Sequence, residues 1–339
     1  MVRPFNIEEI FPEAHAGSSR RRRRQTGSSA HGLAVTLLAD YTVRTRAWLP
    51  SAVIVALLGE FGVTGGAART TISRLARRGV LEGSRQGRYS SYRLTEPAAV
   101  DLSMGGASIA ALATRPDSWD GLWTVVAFSM PEGESTRRRA LRACLRWHGF
   151  APLYDGVWIL PHPLDAKGRA ELAALALGAV TVFRAQHMEL ETVTNRDPVG
   201  AWDLPAIADQ YAGFIQRWSP LLRRIEAGAV TGTAALRTRT EVMDVFRRIP
   251  VLDPMLPTEL MPPGWPRTRA REVFVAMYDG LAAPAEEHVR AVAARVTGAP
   301  HPDLRAHTTA EMAGVAHARA DHGRLGRDEH HASGAPATG

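Results

Sequence analysis

The chain has 339 residues, 45% of them hydrophobic, with a net charge of +7 at pH 7 and a single cysteine. This length predicts two or three folded domains with tails, and one cysteine excludes an internal disulfide bond. Residues 1–30 contain no apolar core of signal-peptide type, and the longest apolar run of the N-terminal half, residues 52–58, is far below the roughly 20 residues that span a bilayer. We expect a cytoplasmic protein without a membrane helix.

Positive charge is concentrated near the N-terminus. Residues 1–95 hold 15 arginines against six aspartates and glutamates, whereas the rest of the chain carries a slight negative excess. A local excess of arginine over one candidate domain is what binding to a nucleic-acid backbone requires, because each neutralised phosphate releases counterions. The alternative is a solvated basic surface without a nucleic-acid partner.

The N-terminal third predicts a basic arm followed by a DNA-binding type of domain. Residues 1–30 are polar, contain the run Arg20–Arg24, and are expected to be a disordered arm. Residues 31–96 show helical spacing and then strand patterns, with a helix cap at Thr64 and a helix stop at Gly79. This order, helix, helix, turn, helix and hairpin, predicts a winged helix-turn-helix domain with elements over 33–39, 51–60, 65–78, 80–83 and 89–95.

The middle of the chain predicts a linker and a small sheet domain. Residues 97–118 are rich in small residues and are expected to be a linker with a weak helix. Residues 119–192 alternate between the patterns of strand and helix. With one more strand, this order would give a ferredoxin-like domain, an antiparallel sheet with both helices on one face. Its predicted strands are 123–130, 156–160 and 180–190, and its predicted helices are 135–148 and 166–177.

The C-terminal part predicts helices and then a tail. Residues 201–296 keep helical spacing of apolar residues, and the last helix is expected to run from Arg269 to about Arg295 with an interruption near Pro284. Residues 297–339 have few large apolar side chains, which predicts a disordered tail. The expected fold class is therefore α+β, with an N-terminal winged helix-turn-helix, a central ferredoxin-like domain and an all-helical C-terminal domain.

The third predicted helix carries the strongest functional signal. At 100° per residue, Ala68, Ile72, Leu75 and Ala76 share an apolar face, and a polar face lies nearly opposite. Guanidinium and hydroxyl groups on such a face suit guanine edges and phosphates in a major groove, and the basic hairpin suits phosphate or the minor groove. The candidate DNA-binding residues are Arg69, Thr70, Ser73, Arg74, Arg77, Arg85, Arg88 and Tyr89.

Dispersed motifs occur in a fixed order along residues 30–290. They are Leu37–Tyr41, Ala68–Gly79, Gly87–Thr95, Trp119–Trp123, Arg146–Phe150, Gly156–Ile159, Trp202–Leu204 and Arg247–Pro266. Together they resemble the PaaX family of regulators, which repress phenylacetic acid degradation and related operons. The resemblance implies a homodimer on a palindromic double-stranded DNA operator, and release from the DNA by an aryl-CoA thioester such as phenylacetyl-CoA.

The resemblance also suggests where an effector would bind. Arg142, Arg146 and Arg248 are candidates for neutralising the phosphates of CoA, and Trp158 is a candidate for stacking on an adenine or aryl ring. We expect an aryl-CoA effector of this kind but no resident cofactor.

Two functions of other classes are open alternatives. The central domain is similar in outline to a CRISPR-associated ribonuclease, so a metal-dependent nuclease is one, and a non-catalytic protein-interaction adaptor is the other. The first predicted strand ends Phe128-Ser129-Met130 where such nucleases place an aspartate, and no nucleotide-hydrolase or hydrolase motif occurs. We therefore expect no enzyme. No metal role is assigned to the histidines of the tail, which lack cysteine partners and regular ligand spacing. His148 and His187 are expected to be ordinary, partly buried polar residues, also without a ligand role.

Overall fold

The protein is described by a computed structural model that covers residues 29–87, 89–112, 119–130, 132–164, 166–176, 180–188, 197–249 and 253–314. The chain divides into two compact units. Unit 1 takes Met1–Thr114, Ala212–Val251 and Arg267–Gly339, and unit 2 takes Arg115–Tyr211 and Leu252–Pro266. Both helix and sheet are present, so the α+β class is confirmed. The predicted arm, residues 1–30, lies outside the described residues except for its last two.

Unit 1 begins with three helices joined by short turns. They are α1 Ala30–Thr42, α2 Ser51–Gly59 and α3 Gly65–Arg77. The Ser29 hydroxyl caps α1 by accepting a hydrogen bond from the Gly32 amide at 3.1 Å. Gly62 and Gly79 have φ of 78° and 70°, a left-handed conformation that glycine adopts without steric cost. These helices agree with the sequence-based prediction.

A three-stranded sheet follows the helices. Its strands are β1 Leu49–Pro50, β2 Leu81–Gln86 and β3 Tyr89–Leu94, in the order β1-β3-β2. The β2–β3 register pairs Leu81 with Leu94 and Gln86 with Tyr89. Strand β2 ends three residues later than predicted, because its polar outer half is exposed on both faces and shows no apolar alternation. The hairpin tip is correspondingly short.

The predicted linker is a folded helix. Helix α4 spans Glu96–Ala110, and its side chains Ala98, Ala99 and Leu102 join the core of unit 1. The Thr95 hydroxyl accepts from the Ala98 amide at 3.4 Å, which caps the helix start. Small residues that suggested a linker instead pack closely in the core. The rest of the predicted linker, residues 113–118, lies outside the described residues.

The C-terminal helices complete the core around α1–α3. They are α8 Leu222–Glu226, α9 Gly232–Phe246, α10 Arg267–Gly280 and α11 Ala282–Thr297. Leu236 of α9 and Val289 of α11 belong to the same buried cluster as Leu37 of α1 and Leu75 of α3. The segments predicted as separate N-terminal and C-terminal domains therefore share one hydrophobic interior in this structure.

Two details of the C-terminal prediction also differ. The last helix is two helices that break at Leu281, and Pro284 lies in the first turn of the second, where a missing amide proton costs nothing. The predicted tail is folded as far as residue 314: Leu304 and Met312 are buried, and the Arg305 amide donates to the Tyr41 carbonyl at 3.0 Å. Residues 315–339 of that tail lie outside the described residues.

Unit 2 contains a four-stranded antiparallel sheet and two helices. In chain order these elements are β4 Trp123–Phe128, α5 Ser135–Trp147, β5 Ala151–Tyr154, β6 Val157–Leu160, α6 Ala166–Ala176 and β7 Val180–Ala185. The strand order is β5-β6-β4-β7. Leu141 and Leu145 of α5 and Leu172 of α6 pack with Val126 and Trp158, so both helices cover one face of the sheet.

Strand β5 is the further strand that the sequence left unassigned. Its four residues include Pro152, and a break in register between Pro152 and Tyr154 interrupts its pairing with β6. The turn between the two strands passes under β4, because a Cβ added to Gly156 would lie 2.5 Å from the Phe128 carbonyl oxygen. Helix α7 spans Leu204–Trp218, and the sequence boundary between the units falls within it, after Tyr211. Within the described residues, no helix is long and apolar enough to cross a bilayer.

Candidate nucleic-acid interface

Helix α3 has one buried and one exposed face. Ala68, Ile72 and Leu75 are buried in the core of unit 1, together with most of Thr71. The five predicted contact residues on the opposite side are all exposed: Arg69, Thr70, Ser73, Arg74 and Arg77. The structure therefore brings these five side chains onto one surface.

The first turn of α3 is built to present positive potential. The Thr64 hydroxyl caps it by accepting from the Ala67 amide at 3.3 Å, and α3 contains no acidic residue. The Arg69 guanidinium lies beside this turn, since a Cβ added to Gly65 would be 3.4 Å from Arg69 Nη1. Free amides at a helix N-terminus and a neighbouring guanidinium together favour an anion such as a phosphate.

The β2–β3 hairpin adds two exposed candidates next to α3 in sequence. Arg85 is exposed, and its Nε donates to the Gly87 carbonyl at 3.1 Å. The Tyr89 side chain is 65% exposed, an unusual position for a large aromatic ring. Arg88 lies outside the described residues, so its predicted role has no structural counterpart.

A stacked pair on the same sheet was not predicted from the sequence. The Arg93 guanidinium lies 4.5 Å from the centroid of the Trp48 ring, and Trp48 is 39% exposed. Glu82 holds Arg93 and Arg46 by ion pairs of 2.7 and 2.8 Å. Helical or strand periodicity could not reveal this pair, because Trp48 lies in the loop before β1 and meets Arg93 only through sheet pairing.

The predicted effector-binding residues have different environments. In unit 2, Arg142 Nη2 lies 3.5 Å from Asp155, and the Arg146 guanidinium lies 5.2 Å from the centroid of the Trp158 ring. Trp158 is only 1% exposed and packs in the core, so its ring offers no open face for stacking in this structure. Burial under α5 and α6 is the reason that this prediction does not hold here.

The fourth effector candidate, Arg248, lies in unit 1 just after α9. Its guanidinium pairs with Asp244 at 2.8 Å and is 47% exposed. The adjacent Arg247 also pairs with Asp244, but that side chain is buried. Arg248 therefore keeps part of its donor surface open to solvent, whereas Arg247 is structural.

A cluster of possible metal ligands lies in unit 2, where the sequence predicted none. Cys144 and His148 of the α5 end and Glu171 of α6 have ligand atoms within 4.8 Å of one another. His148 Nε2 lies 3.0 Å from Glu171 Oε2. Burial, together with the neighbouring Glu171 carboxylate, raises the pKa of the Cys144 thiol. The four-residue spacing of Cys144 and His148 was readable from the sequence, but the approach of Glu171 was not.

These observations define an α+β protein in which an exposed basic helix face, that of α3, follows a helix and a turn. Three family models match consecutive parts of the chain: PaaX-like protein at residues 29–98, PaaX protein central Cas2-like domain at 116–196, and PaaX-like protein C-terminal domain at 202–291. The chain belongs to the PaaX family.

Two individual proteins with similarity to the chain are a curated relative and a solved structure. The chain is 29% identical over 241 residues to the transcriptional repressor PaaX of Escherichia coli strain K12, covering 69% of this chain and 74% of that protein. Among solved structures, it resembles the uncharacterized protein Rv0674 from Mycobacterium tuberculosis, with 21% identity, a TM-score of 0.49, and coverage of 80% of this chain and 98% of that one.

Proposed function

We propose that this protein is a DNA-binding transcriptional repressor in which α1–α3 and the β2–β3 hairpin act as a winged helix-turn-helix. The observation that carries the proposal is the exposed face of α3, with three arginines and two hydroxyl side chains opposite a buried apolar face. Arginine makes bidentate hydrogen bonds to guanine, and hydroxyl groups bond to bases or phosphates in the major groove. The name of the Escherichia coli relative supports the same function.

The proposed binding mode has separate tasks for helix and hairpin. Arg69 and Arg74 read base edges, while Thr70, Ser73 and Arg77 contribute further contacts on the same face. Arg85, Arg88 and Tyr89 of the hairpin contact the sugar-phosphate backbone or the neighbouring minor groove. A homodimer would place two such surfaces on half-sites about 34 Å apart, or a multiple of that distance, as in other helix-turn-helix dimers.

We further propose that an aryl-CoA thioester such as phenylacetyl-CoA releases the protein from an operator of a catabolic gene cluster. The central unit, which we take to be ferredoxin-like from its β-α-β-β-α-β order, offers Arg142 and Arg146 as phosphate ligands, and Arg248 is the candidate in unit 1. Release requires that the effector bind more tightly to a conformation that fits DNA poorly. The role proposed for the central unit is regulatory rather than catalytic.

The first experiment measures binding of the full chain to its own upstream DNA by fluorescence anisotropy over a range of salt concentrations. We expect affinity that falls steeply with salt, because phosphate contacts release counterions. The double variant Arg69→Ala/Arg74→Ala should lose specific binding, whereas Arg237→Ala, which removes an exposed arginine from α9 of the same unit, should bind like the parent. Parent-like binding by the double variant would refute the assignment of α3 as the reading helix.

The second experiment adds phenylacetyl-CoA to the preformed complex. Dissociation at a concentration where free CoA has no effect would support an aryl-CoA effector. Arg142→Ala, Arg146→Ala and Arg248→Ala then test the candidate residues singly, and a response unchanged in all three would remove them from the effector site. Incubation of the protein with divalent metal and labelled RNA or DNA tests the nuclease alternative, in which cleavage, not release, would be seen.

A further inference from the structure

We propose that Cys144, His148 and Glu171 form a binding site for a divalent transition-metal ion of the zinc type, which ties the end of α5 to α6. The site is in unit 2, away from α3 in the sequence, and it does not depend on the function proposed above. It uses one thiol, one imidazole and one carboxylate, a donor set that the DNA-binding proposal leaves without a role.

The arrangement of the three groups fits a metal ion. Cys144 and His148 are four residues apart, and the His148 amide still donates to the Cys144 carbonyl at 3.1 Å, so the two side chains lie one turn apart on one face. Ligand pairs with this spacing on one helix face are a recurrent way to hold zinc. Glu171 lies near the middle of α6, Ala166–Ala176, and faces the pair from the second helix.

The distances need only a small adjustment. The ligand atoms lie within 4.8 Å of one another, and the imidazole and carboxylate already approach to 3.0 Å. Ligand atoms around a tetrahedral zinc ion are roughly 3.3 to 3.6 Å apart, given metal–ligand bonds of about 2.0 to 2.3 Å. A rotation of side chains would therefore bring the thiol into range without moving either helix.

The donor atoms and their burial favour zinc over a hard cation such as magnesium. Thiolate and imidazole prefer borderline and soft ions, whereas magnesium prefers an all-oxygen shell. The His148 side chain is 11% exposed and that of Glu171 is 30% exposed, so the site is sheltered but open on one side to a water molecule as fourth ligand. Metal binding would displace the thiol proton, because cysteine ligates a metal ion as the thiolate.

The experiment titrates the chelator-stripped, full-length protein with Co²⁺ and follows the thiolate-to-cobalt charge-transfer absorption. Cys144 is the only cysteine of the chain, so this absorption reports on one position and is blind to the histidine-rich C-terminus. We expect saturation at one Co²⁺ per chain, and displacement of the absorption by an equimolar amount of Zn²⁺. The absence of a thiolate band at equimolar metal would overturn the proposal.

Variants distinguish a three-ligand metal site from a thiol that binds metal by itself. His148→Ala and Glu171→Gln should each weaken Co²⁺ binding by at least the roughly 10–100-fold that loss of even an outer-shell partner costs. His187→Ala and Glu134→Gln are matched controls on exposed or half-exposed positions of the same unit, and they should leave the affinity unchanged. Parent affinity in both His148→Ala and Glu171→Gln would overturn the proposal, and Glu171→Gln alone decides if His148→Ala fails to fold.

Discussion

The guanidinium carbon of Arg239 lies 3.6 Å from the centroid of the Tyr278 ring, and both side chains are fully buried. Arg239 also donates to the carbonyl oxygens of Tyr278 and His307, and the Tyr278 hydroxyl donates to Asp40 Oδ1 at 2.7 Å. Asp40 belongs to α1 and Tyr278 to α10. This polar network therefore joins α1, the first helix of the proposed DNA-binding segment, to the C-terminal helices inside one unit.

Replacing Arg239 with alanine should lower the free energy of unfolding by about 3 to 5 kcal/mol. The substitution leaves the Asp40 carboxyl group without its compensating charge and two buried carbonyl groups without a donor. Urea denaturation monitored by tryptophan fluorescence measures the loss. Arg237→Ala, on the exposed side of the same helix, should change stability by no more than about 0.5 kcal/mol, and equal effects of both variants would contradict the structural role of Arg239.

Asp40 should make stability fall as the pH rises from about 4 to 6. Burial raises the pKa of this carboxyl group from 3.8 to about 6, so the folded state holds a proton that the unfolded state releases in this window. The stabilisation is complete below pH 4 and is lost as the pH passes 6. The free energy of unfolding of Asp40→Asn, relative to that of the parent, should therefore rise by about 1.4 kcal/mol per pH unit between pH 4 and 6. Parallel pH profiles of variant and parent would contradict this result.

His307 should have the opposite effect to Asp40 on the pH dependence of stability, over nearly the same pH range. Burial, and then the charge of Arg239, lower the pKa of its imidazole from 6.5 to about 3. The unfolded state binds a proton below pH 6.5 that the folded state refuses, so stability falls as the pH is lowered through this window. The free energy of unfolding of His307→Gln, relative to that of the parent, should fall by about 1.4 kcal/mol per pH unit as the pH rises from 4 to 6. Urea unfolding at pH 4, 5 and 6 is the measurement, and a difference from the parent that does not vary with pH would count against it.

Arg69→Ala alone should weaken specific DNA binding by about 1 to 3 kcal/mol, the usual range for loss of a bidentate contact to a base. The side chain is exposed, so the fold and any self-association should not change. Anisotropy with the cognate duplex and with an unrelated duplex separates specific from general affinity. A uniform loss on both duplexes would make Arg69 a phosphate contact, and no loss on either would exclude it.

Thr64→Ala should cost about 1 kcal/mol of stability and reduce DNA affinity, because the hydroxyl that caps the first turn of α3 is lost. Thr64→Ser keeps the capping oxygen and serves as the control. Thermal unfolding and anisotropy on the same samples compare the two effects. Indistinguishable behaviour of alanine and serine at this position would show that the cap does not support α3.

Gly156→Ala should destabilise the central unit by about 1 to 3 kcal/mol, since the new Cβ would meet the Phe128 carbonyl oxygen at 2.5 Å and force backbone movement. Gly133→Ala is the matched control, because a Cβ added to Gly133 would meet nothing within 4 Å. Denaturation curves of the two variants test the difference. An unperturbed Gly156→Ala protein would mean that the β5–β6 turn is not held against β4.

Much of α3 was predictable because its pattern is local. A period of 3.6 residues separates Leu75 from Arg69 on the helix surface, and short-range capping signals mark both ends. The exposure of the arginines followed directly from that geometry. The burial of Trp158 did not, because a tryptophan in a strand can face either side of a sheet, and only the positions of α5 and α6 decide which side is covered.

The shared interior of the N-terminal and C-terminal segments was not predictable, because it depends on contacts between distant parts of the chain. Small residues in α4 looked like a linker, yet a Cβ at Gly106 would lie 3.2 Å from Met312 Cε, so the small residue lets Met312 pack closely against the helix. Met312 itself lies in a segment with too few large apolar residues to predict a fold. Single anchoring side chains such as Leu304 give no periodic signal, and their burial depends on a surface built by helices far away in sequence.

The hydrophobic interior shared by α1–α3, α9 and α11 has a consequence for engineering and for evolution. A chimera that exchanged only residues 29–98 with a relative would join half of one interior to a foreign second half, and we expect it to fold poorly whatever its DNA preference. Residues of α9 and α11 must be exchanged together with the N-terminal segment. The folding unit that contains α3 is thus discontinuous in the gene, interrupted by the central unit.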